Sequence, residues 1–274
     1  MKMQIIIPLV IWIFFMTLAV SLGLAVNLFY LYNFTYIGTC VAVGLFLHIK
    51  KFKFARIFIL FSVGLYMFLY LGIISNENMQ IVGFWLLLFN GAFYAAVLHY
   101  AVAKLFGPFL FGRAWCGYAC WTAMIFELLP YKIPQNPRKN IGYIRYIVFA
   151  TTLCFSIVLF LLHVPYTSNI MFWSFIVGNG LYYVIGIILA FVLKDNRAFC
   201  KYICPITVFL KPTCYFALFR VKIDVDKCIN CNKCKKNCPM DVDMMDNSRK
   251  RLNGTECILC LNCIKECPKK ALHN

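Results

Sequence analysis

The sequence has 274 residues, of which 62% are hydrophobic and 14% are charged, and its mean hydropathy is +0.77. Soluble domains carry about a quarter charged residues, so this composition excludes an ordinary soluble protein and indicates a membrane protein. The net charge of +17 does not call for nucleic acid as a partner, because basic residues of membrane proteins collect in cytoplasmic loops.

Six apolar stretches predict transmembrane helices, since each approaches the about 20 residues that cross a bilayer core. The first two are nearly continuous, and one helix from Ile5 to Leu47 would be about twice too long. A tight turn is therefore predicted near Asn27 to Asn33. A signal peptide is the alternative for the first stretch, but its long apolar run favours an uncleaved anchor. The six stretches cover roughly residues 5–25, 30–48, 57–74, 80–103, 143–163 and 171–193.

The distribution of Lys and Arg predicts the orientation in the membrane. The loops near residues 26–33, 75–79 and 164–170 contain no Lys or Arg, and their one charged residue is Glu77. The segments between the other stretches are basic. By the positive-inside rule we expect a multi-pass protein of the cytoplasmic membrane with its N-terminus and C-terminal tail on the cytoplasmic side.

Two cysteine pairs follow the fourth and sixth apolar stretches. GRAWCGYACW contains Cys116 and Cys120, and RAFCKYICP contains Cys200 and Cys204. On a helix, cysteines four apart have Cβ atoms about 5–6 Å apart, which suits joint ligation better than a disulfide. Pro205 is expected to place the second pair at a helix end. The four cysteines are candidates for a third metal or iron–sulfur centre or for a thiol relay, and packing at helix ends is the alternative.

The tail after about Arg220 is predicted to be a separate domain, residues 221–274, behind a transmembrane domain of residues 1–220. Its segments KCINCNKCKKNCP and ECILCLNCIKECP align position by position at a spacing of 29 residues. Each reads C-x2-C-x2-C-x3-C-P, the run of bacterial ferredoxins in which the fourth cysteine binds the other cluster. One [4Fe-4S] cluster is therefore predicted on Cys228, Cys231, Cys234 and Cys267, and a second on Cys257, Cys260, Cys263 and Cys238.

Zinc and disulfides are the alternatives for the tail. Paired C-x2-C motifs also build zinc sites, but zinc leaves the repeated x3-C-P element without a reason. Disulfides are disfavoured on a reducing face of the membrane. The tail resembles the bacterial two-cluster ferredoxin domain over residues 221–271, which implies a small α+β fold.

The whole chain from about Leu86 resembles the NapH, NosR and CcoG type of membrane-bound polyferredoxin, on Gly112 to Cys120, Arg197 to Pro205 and the tail. Trp121 stands where that pattern has proline, which favours a continuous helix through the first pair. The short NapH-like form is the closest of the three, because we expect neither a large flavin-binding domain nor a C-terminal domain beyond the ferredoxin. The resemblance implies an all-α polytopic membrane domain of about six helices plus the α+β ferredoxin domain.

The resemblance also implies a function. Electrons would pass between the quinone pool and a redox partner, either a soluble ferredoxin-like subunit or a terminal reductase, as in quinol-dehydrogenase subunits. The direction of electron flow stays open. A quinone is a candidate cofactor in addition to the two clusters. The alternatives are a factor that reduces or delivers metal for another enzyme and a membrane redox sensor. Cys40, Cys154 and Cys214 have no partner at ligand spacing and are expected to be inert.

Overall fold

The computed structural model describes residues 2–93, 96–164, 168–245 and 254–273. Within these ranges the protein is mostly helical, with one short two-stranded sheet. It divides into two compact units, one of Met1–Tyr66 with Tyr118–Trp121 and one of Met67–Gly117 with Thr122–Asn274. The boundary that the sequence suggests at residue 220 is not among these division points and stays a prediction.

The first unit contains α1 (Lys2–Ala25), α2 (Leu28–Ile49) and α3 (Ala55–Leu65). The predicted turn between the first two helices is present, and the Asn27 side chain caps α2 by accepting a hydrogen bond from the N–H of Phe29 at 3.0 Å. A Cβ on Gly38 would lie 2.3 Å from Cβ of Phe15, so glycine allows α1 and α2 to approach closely.

The second unit contains most of the remaining elements. Three helices at the two C-x3-C motifs are short, with five or six residues each. A π-helical stretch, Tyr66–Ile74, continues α3, and a second one, Ala101–Phe106, joins α5 to α6. The helices are α4 (Ile81–Phe89), α5 (Ala96–Tyr100), α6 (Gly107–Phe111), α7 (Ala114–Tyr118), α8 (Trp121–Phe126), α9 (Ile144–Leu161), α10 (Ser168–Leu193), α11 (Ala198–Tyr202), α12 (Thr207–Tyr215), α13 (Lys233–Lys236) and α14 (Asn262–Lys265).

Among the described residues, five helical stretches are long and apolar enough to cross a membrane. They are Pro8–Ala25, Leu28–Ile49, Ala55–Ile74, Ile144–Leu161 and Asn169–Leu193. They correspond to five of the six predicted stretches. Part of the predicted loop 164–170, residues 165–167, lies outside the described residues.

The predicted fourth span, residues 80–103, is not one continuous helix. Its first part, α4, ends at Phe89, where the Asn90 side chain donates to the carbonyl of Leu86 at 2.7 Å and Gly91 adopts a φ of +69°. A left-handed glycine after the last turn is a common helix stop. A second apolar segment, Ala96–Phe111, then leads to the first cysteine pair.

The tail has the small α+β architecture that the sequence predicts. Its strands β1 (Lys222–Ile223) and β2 (Leu272–His273) pair antiparallel, with Lys222 opposite His273 and Ile223 opposite Leu272. This pairing joins the two ends of the cysteine-rich segment, while α13 and α14 each begin one residue before the third cysteine of a C-x2-C-x2-C loop.

The tail also packs on the helices that precede it in the second unit. The N–H groups of Leu218 and Phe219 donate to the carbonyls of Phe109 and Leu110 at 2.9 and 2.8 Å, which ties the entry of the tail to α6. One cluster of buried side chains includes cysteines from the first pair, the second pair, α12 and the tail. Its buried cysteines are Cys116, Cys200, Cys214, Cys234, Cys238 and Cys263.

Candidate iron–sulfur sites

Two cavities in the tail are each lined by one of the two predicted sets of four cysteines. Cavity I is lined by Cys228, Cys231, Cys234 and Cys267, with Ile223 and Leu272 of the sheet behind them. The first three cysteines come from one loop, and Cys267 comes from the other half of the repeat. The fold therefore brings Cys267, the fourth cysteine of the second run, to the three cysteines of the first run, as the sequence predicts.

Cavity II has the same arrangement with the halves exchanged. It is lined by Cys257, Cys260 and Cys263 from the second loop and by Cys238 from the first half. Within the described part of the chain, no three His, Cys, Asp or Glu side chains converge closely enough to hold a single metal ion. The thiols of each set stand around a cavity rather than around one point.

The repeat extends from the sequence to the backbone conformation. Asn230, Asn232 and Asp241 have positive φ angles of 52°, 56° and 53°. The residues 29 positions later repeat this pattern, although two of them are leucines, which rarely adopt a left-handed conformation. They are Leu259, Leu261 and Lys270, with φ angles of 51°, 61° and 51°.

These turns direct backbone N–H groups at sulfur. The N–H of Val242 donates to Sγ of Cys238, and the N–H of Ala271 donates to Sγ of Cys267, both at 3.3 Å. The N–H of Asn230 donates to Sγ of Cys228 at 3.4 Å. Successive N–H groups in such turns form concave sites that stabilise negative charge, which suits thiolate ligands.

Burial makes several of these thiols hard to ionise on their own. It raises the pKa of Cys238 to about 12, and burial followed by the neighbouring Cys257 and Cys260 raises the pKa of Cys263. A buried thiolate needs a cation beside it, and a metal centre supplies that cation because coordination deprotonates the thiol. The donor set therefore fits an iron–sulfur cluster.

The two C-x3-C motifs are linked by their own arginines. Arg113 donates from Nη2 to the carbonyl of Cys200 at 3.3 Å, and Arg197 donates from Nη1 to the carbonyl of Cys116 at 3.2 Å. Each arginine stands three residues before a cysteine of its own motif, so the contact is reciprocal. All four residues are buried. The structure thus brings the first cysteines of the two pairs into one neighbourhood.

The helix expected through the first pair is wrong. Cys116 lies in α7, which ends at Tyr118, and α8 begins only at Trp121, so Cys120 lies between two short helices. Separate helices of five and six residues at this position leave no common helix face for the pair. In the second pair, α11 ends at Tyr202 before Pro205, as expected, and Cys204 follows the helix. Cys120 belongs to the first unit, so joint ligation by all four cysteines stays a prediction.

A buried carboxylate that sequence reasoning missed lies directly before the second cluster loop. Glu256 is fully buried and forms ion pairs with Arg113, with Arg145 at 2.8 Å, with Arg138 at 3.2 Å and with Lys211 at 3.4 Å. Burial by itself raises the pKa of this carboxyl, but the surrounding cations outweigh it and lower the pKa to about 2. Glu256 is therefore ionised and ties the second cluster loop to three preceding segments of the second unit.

The repeat itself marks Glu256 as an unusual position. The residue 29 positions earlier is Lys227, so the charge reverses at one position of an otherwise aligned motif. Lys227 is exposed and pairs with Asp224 at 2.6 Å. A second link to the tail comes from buried Lys201, whose Nζ lies 2.7 Å from Asp195 and 2.5 Å from Asp241.

Cys214 lies between the second C-x3-C motif and the tail along the chain. Together with Gly112 and Cys257 it lines a third cavity. Burial raises the pKa of the Cys214 thiol to about 12, although Arg113 opposes the shift. The residue is buried, as the sequence suggested, but its position beside a predicted cluster ligand was not expected.

Comparisons with known proteins agree with this geometry. Residues 220–268 match a family model described as a 4Fe-4S dicluster domain, and residues 95–140 and 170–224 match one described as a 4Fe-4S binding domain. The second match covers both C-x3-C motifs. No solved structure matches the chain.

Similar proteins include two uncharacterized proteins of Methanocaldococcus jannaschii. One is 25% identical over 182 residues, 62% of this chain and 69% of its own length; the other is 28% identical over 146 residues, 48% and 61% respectively. YccM of Escherichia coli, named as an electron transport protein, is 29% identical over 62 residues, which is 23% of this chain and 17% of YccM. These matches support an iron–sulfur electron-transfer protein and do not single out the NapH, NosR or CcoG type.

Proposed function

We propose that this protein is a multi-pass protein of the cytoplasmic membrane that passes electrons between the quinone pool and a redox partner. The observation that carries the proposal is the pair of four-cysteine cavities in a tail that packs on apolar, membrane-type helices. The N-terminus and the tail lie on the cytoplasmic side, in keeping with the distribution of Lys and Arg. In this proposal α4 and the segment Ala96–Phe111, which replace the predicted fourth stretch, together form the sixth span of the membrane.

The proposed ligands are the eight cysteines of the tail. Cys228, Cys231, Cys234 and Cys267 hold one [4Fe-4S] cluster, and Cys257, Cys260, Cys263 and Cys238 hold the other. Such clusters supply one-electron exchange at potentials set by charge, hydrogen bonds to sulfur and exposure. The chain's part is to hold the thiolates around each cavity, to aim the N–H groups of Asn230, Val242 and Ala271 at sulfur and to line the second site with residues that are not exposed.

The C-x3-C cysteines form the proposed entry for electrons at the membrane edge. Buried guanidinium groups need anionic partners. Burial lowers the pKa of Arg113, but Glu256 and then Cys116 and Cys200 raise it, with a net rise. Nε of Arg113 is buried and has no hydrogen-bond partner among the described residues. Arg113 shares its anionic partner, Glu256, with three other cations, and a thiolate centre on Cys116, Cys120, Cys200 and Cys204 would supply further negative charge.

Counting iron and acid-labile sulfide tests the ligand assignments. Two cubane clusters require about 8 Fe per chain, and a third requires about 12. The test compares the anaerobically purified wild type with a Cys116→Ser, Cys120→Ser variant. A Cys40→Ser, Cys154→Ser variant is the matched control. We expect more than about 8 Fe in the wild type and the control and about 8 in the test variant. Equal values of about 8 in all three would leave a thiol relay or packing as the role of the C-x3-C cysteines, and zinc without sulfide would overturn the cluster assignment.

The quinone assignment needs a separate test. The full chain in lipid nanodiscs is mixed anaerobically with a reduced quinol analogue, and, after dithionite reduction, with the oxidised quinone. We expect one of the two to change the visible absorption and electron paramagnetic resonance of the clusters, and which one does so gives the direction. If neither does so, the quinone proposal fails. Deletion that lowers the metal content of another oxidase or reductase, with quinol oxidation intact, would favour a maturation factor.

A further inference from the structure

The two cavities differ in how far their walls reach the surface. None of the described residues that line cavity II is exposed, whereas six that line cavity I are. Both cavities have equivalent cysteines, so the difference comes from how far the surrounding protein covers each cavity. We call these six exposed residues the cavity I face: Ile229, Cys231, Asn232, Lys233, Pro268 and Lys269.

The cavity I face combines exposed apolar side chains with basic charge. Ile229 and Pro268 are exposed beside Cys231, and Lys233 and Lys269 stand at the same cavity. Within the described parts of the chain, no carboxylate forms an ion pair with either lysine. Lys227 and Lys235, by contrast, are paired with Asp224 and Asp243 at 2.6 and 3.5 Å. No charged residue is among the described residues that line cavity II.

We propose that the cavity I face is the docking surface for a soluble, acidic electron-transfer protein. The inference rests on the proposed function and names the chemistry of its redox partner. An exposed apolar centre with a charged surround is what protein interfaces present, and complementary charge steers the encounter of weak, transient partners. The exposed Cys231 lets a partner's cofactor come close to the site. Cavity II has no such access, because the second unit itself covers it.

An anionic bilayer attracts the same combination of lysines and apolar side chains. A lipid surface on this face would cover Cys231 with hydrocarbon and close the exposed site. The redox protein is therefore the occupant that uses the exposed cysteine, and lipid is one of the outcomes of the test.

Binding of a purified acidic flavodoxin to the full chain in nanodiscs of zwitterionic lipid tests the proposal. The test variant is Lys233→Glu, Lys269→Glu. The control variant, Lys132→Glu, Lys139→Glu, changes the net charge equally at two exposed lysines of the loop between α8 and α9. We expect the test variant to lose affinity by about tenfold or more at low salt, the control to bind like the wild type and salt to weaken wild-type binding. Carbodiimide cross-linking should join Lys233 or Lys269 to carboxylates of flavodoxin.

Three outcomes would overturn the docking proposal. They are equal affinities in all three proteins, an equal loss in the test and control variants, and cross-links that avoid Lys233 and Lys269. A test variant that keeps its affinity for flavodoxin but no longer binds vesicles of phosphatidylserine would assign the face to lipid instead. Unchanged iron content in both variants shows that the tail is intact. Failure of the quinol experiment with flavodoxin binding intact would remove the quinone assignment and leave the docking surface standing.

Discussion

The two cluster loops of the tail share one backbone and have opposite surroundings. Residues 228–234 and 257–263 repeat the same cysteine spacing and the same left-handed turns. Yet Ile229 is 56% exposed, whereas its counterpart Ile258 is 3% exposed. The cysteine spacing and the turns thus fix the loop, while packing against the rest of the second unit decides whether it meets solvent or protein.

The buried loop is held by features that the exposed loop does not have. Gly117 of α7 stands so close that a Cβ there would lie 2.5 Å from the carbonyl oxygen of Ile258. Glu256 anchors the start of the same loop through its four cations. Substitutions at equivalent positions of the two loops should therefore have unequal effects, which can be measured as loss of cluster absorption during denaturation by guanidinium.

The largest difference is expected at the position where the repeat changes charge. Glu256→Ala leaves buried arginines without their carboxylate, which costs about 3–5 kcal/mol of stability. Lys227→Ala removes a solvent-exposed ion pair and should leave the denaturation midpoint unchanged. Equal shifts in the two variants would contradict the anchoring role of Glu256.

Alanine substitutions of the equivalent residues Ile258 and Ile229 measure how much apolar burial stabilises the buried loop. Ile258→Ala removes buried volume and is expected to lower the free energy of unfolding by about 2–5 kcal/mol. Ile229→Ala, at an exposed site, should stay within about 0.5 kcal/mol of the wild type. A large loss at Ile229 in the isolated chain would mean that this face already has a partner within the protein.

The glycine beside the buried loop tests the close approach of α7. Gly117→Ala forces the loop or the helix to shift and should cost about 1–3 kcal/mol. Gly180→Ala is the control, because nothing lies within 4 Å of the Cβ it would add in α10. Helix propensity makes the control neutral or stabilising by up to about 1 kcal/mol. Identical midpoints for the two variants would rule out the tight contact.

The smallest effect is expected from the turns that the two loops share. Asn230 has a φ of 52°, a conformation that asparagine adopts more readily than alanine does. Asn230→Ala should therefore destabilise the tail by about 1 kcal/mol, whereas Lys236→Ala at an exposed helical position should not. Cluster spectra should be unchanged in both. No loss in Asn230→Ala would show that the turn is held by ligation rather than by the residue.

Sequence reasoning predicted what depends on local pattern. The two cysteine runs are read directly from their spacing, and the cavities collect the same two sets of four, because the repeat carries its loop geometry with it. Apolar stretches of bilayer length likewise gave five helices. The fourth stretch failed because composition averages over Asn90 and Gly91, which end α4. The helix through Cys116 and Cys120 failed because one residue in place of proline says little about where a short helix ends.

The sequence by itself determined the class of protein, its two cysteine-rich halves and its membrane-type helices, since each of these is encoded in residue spacing or in local composition. Only the tertiary structure decided which loop is buried, that Arg113 and Arg197 cross between the two C-x3-C motifs and that Glu256 gathers Arg138, Arg145 and Lys211. Those contacts join residues from 45 to 118 positions apart, and their strength comes from shared exclusion of water. Burial of this kind is a property of the packed chain, and no local pattern of residues encodes it.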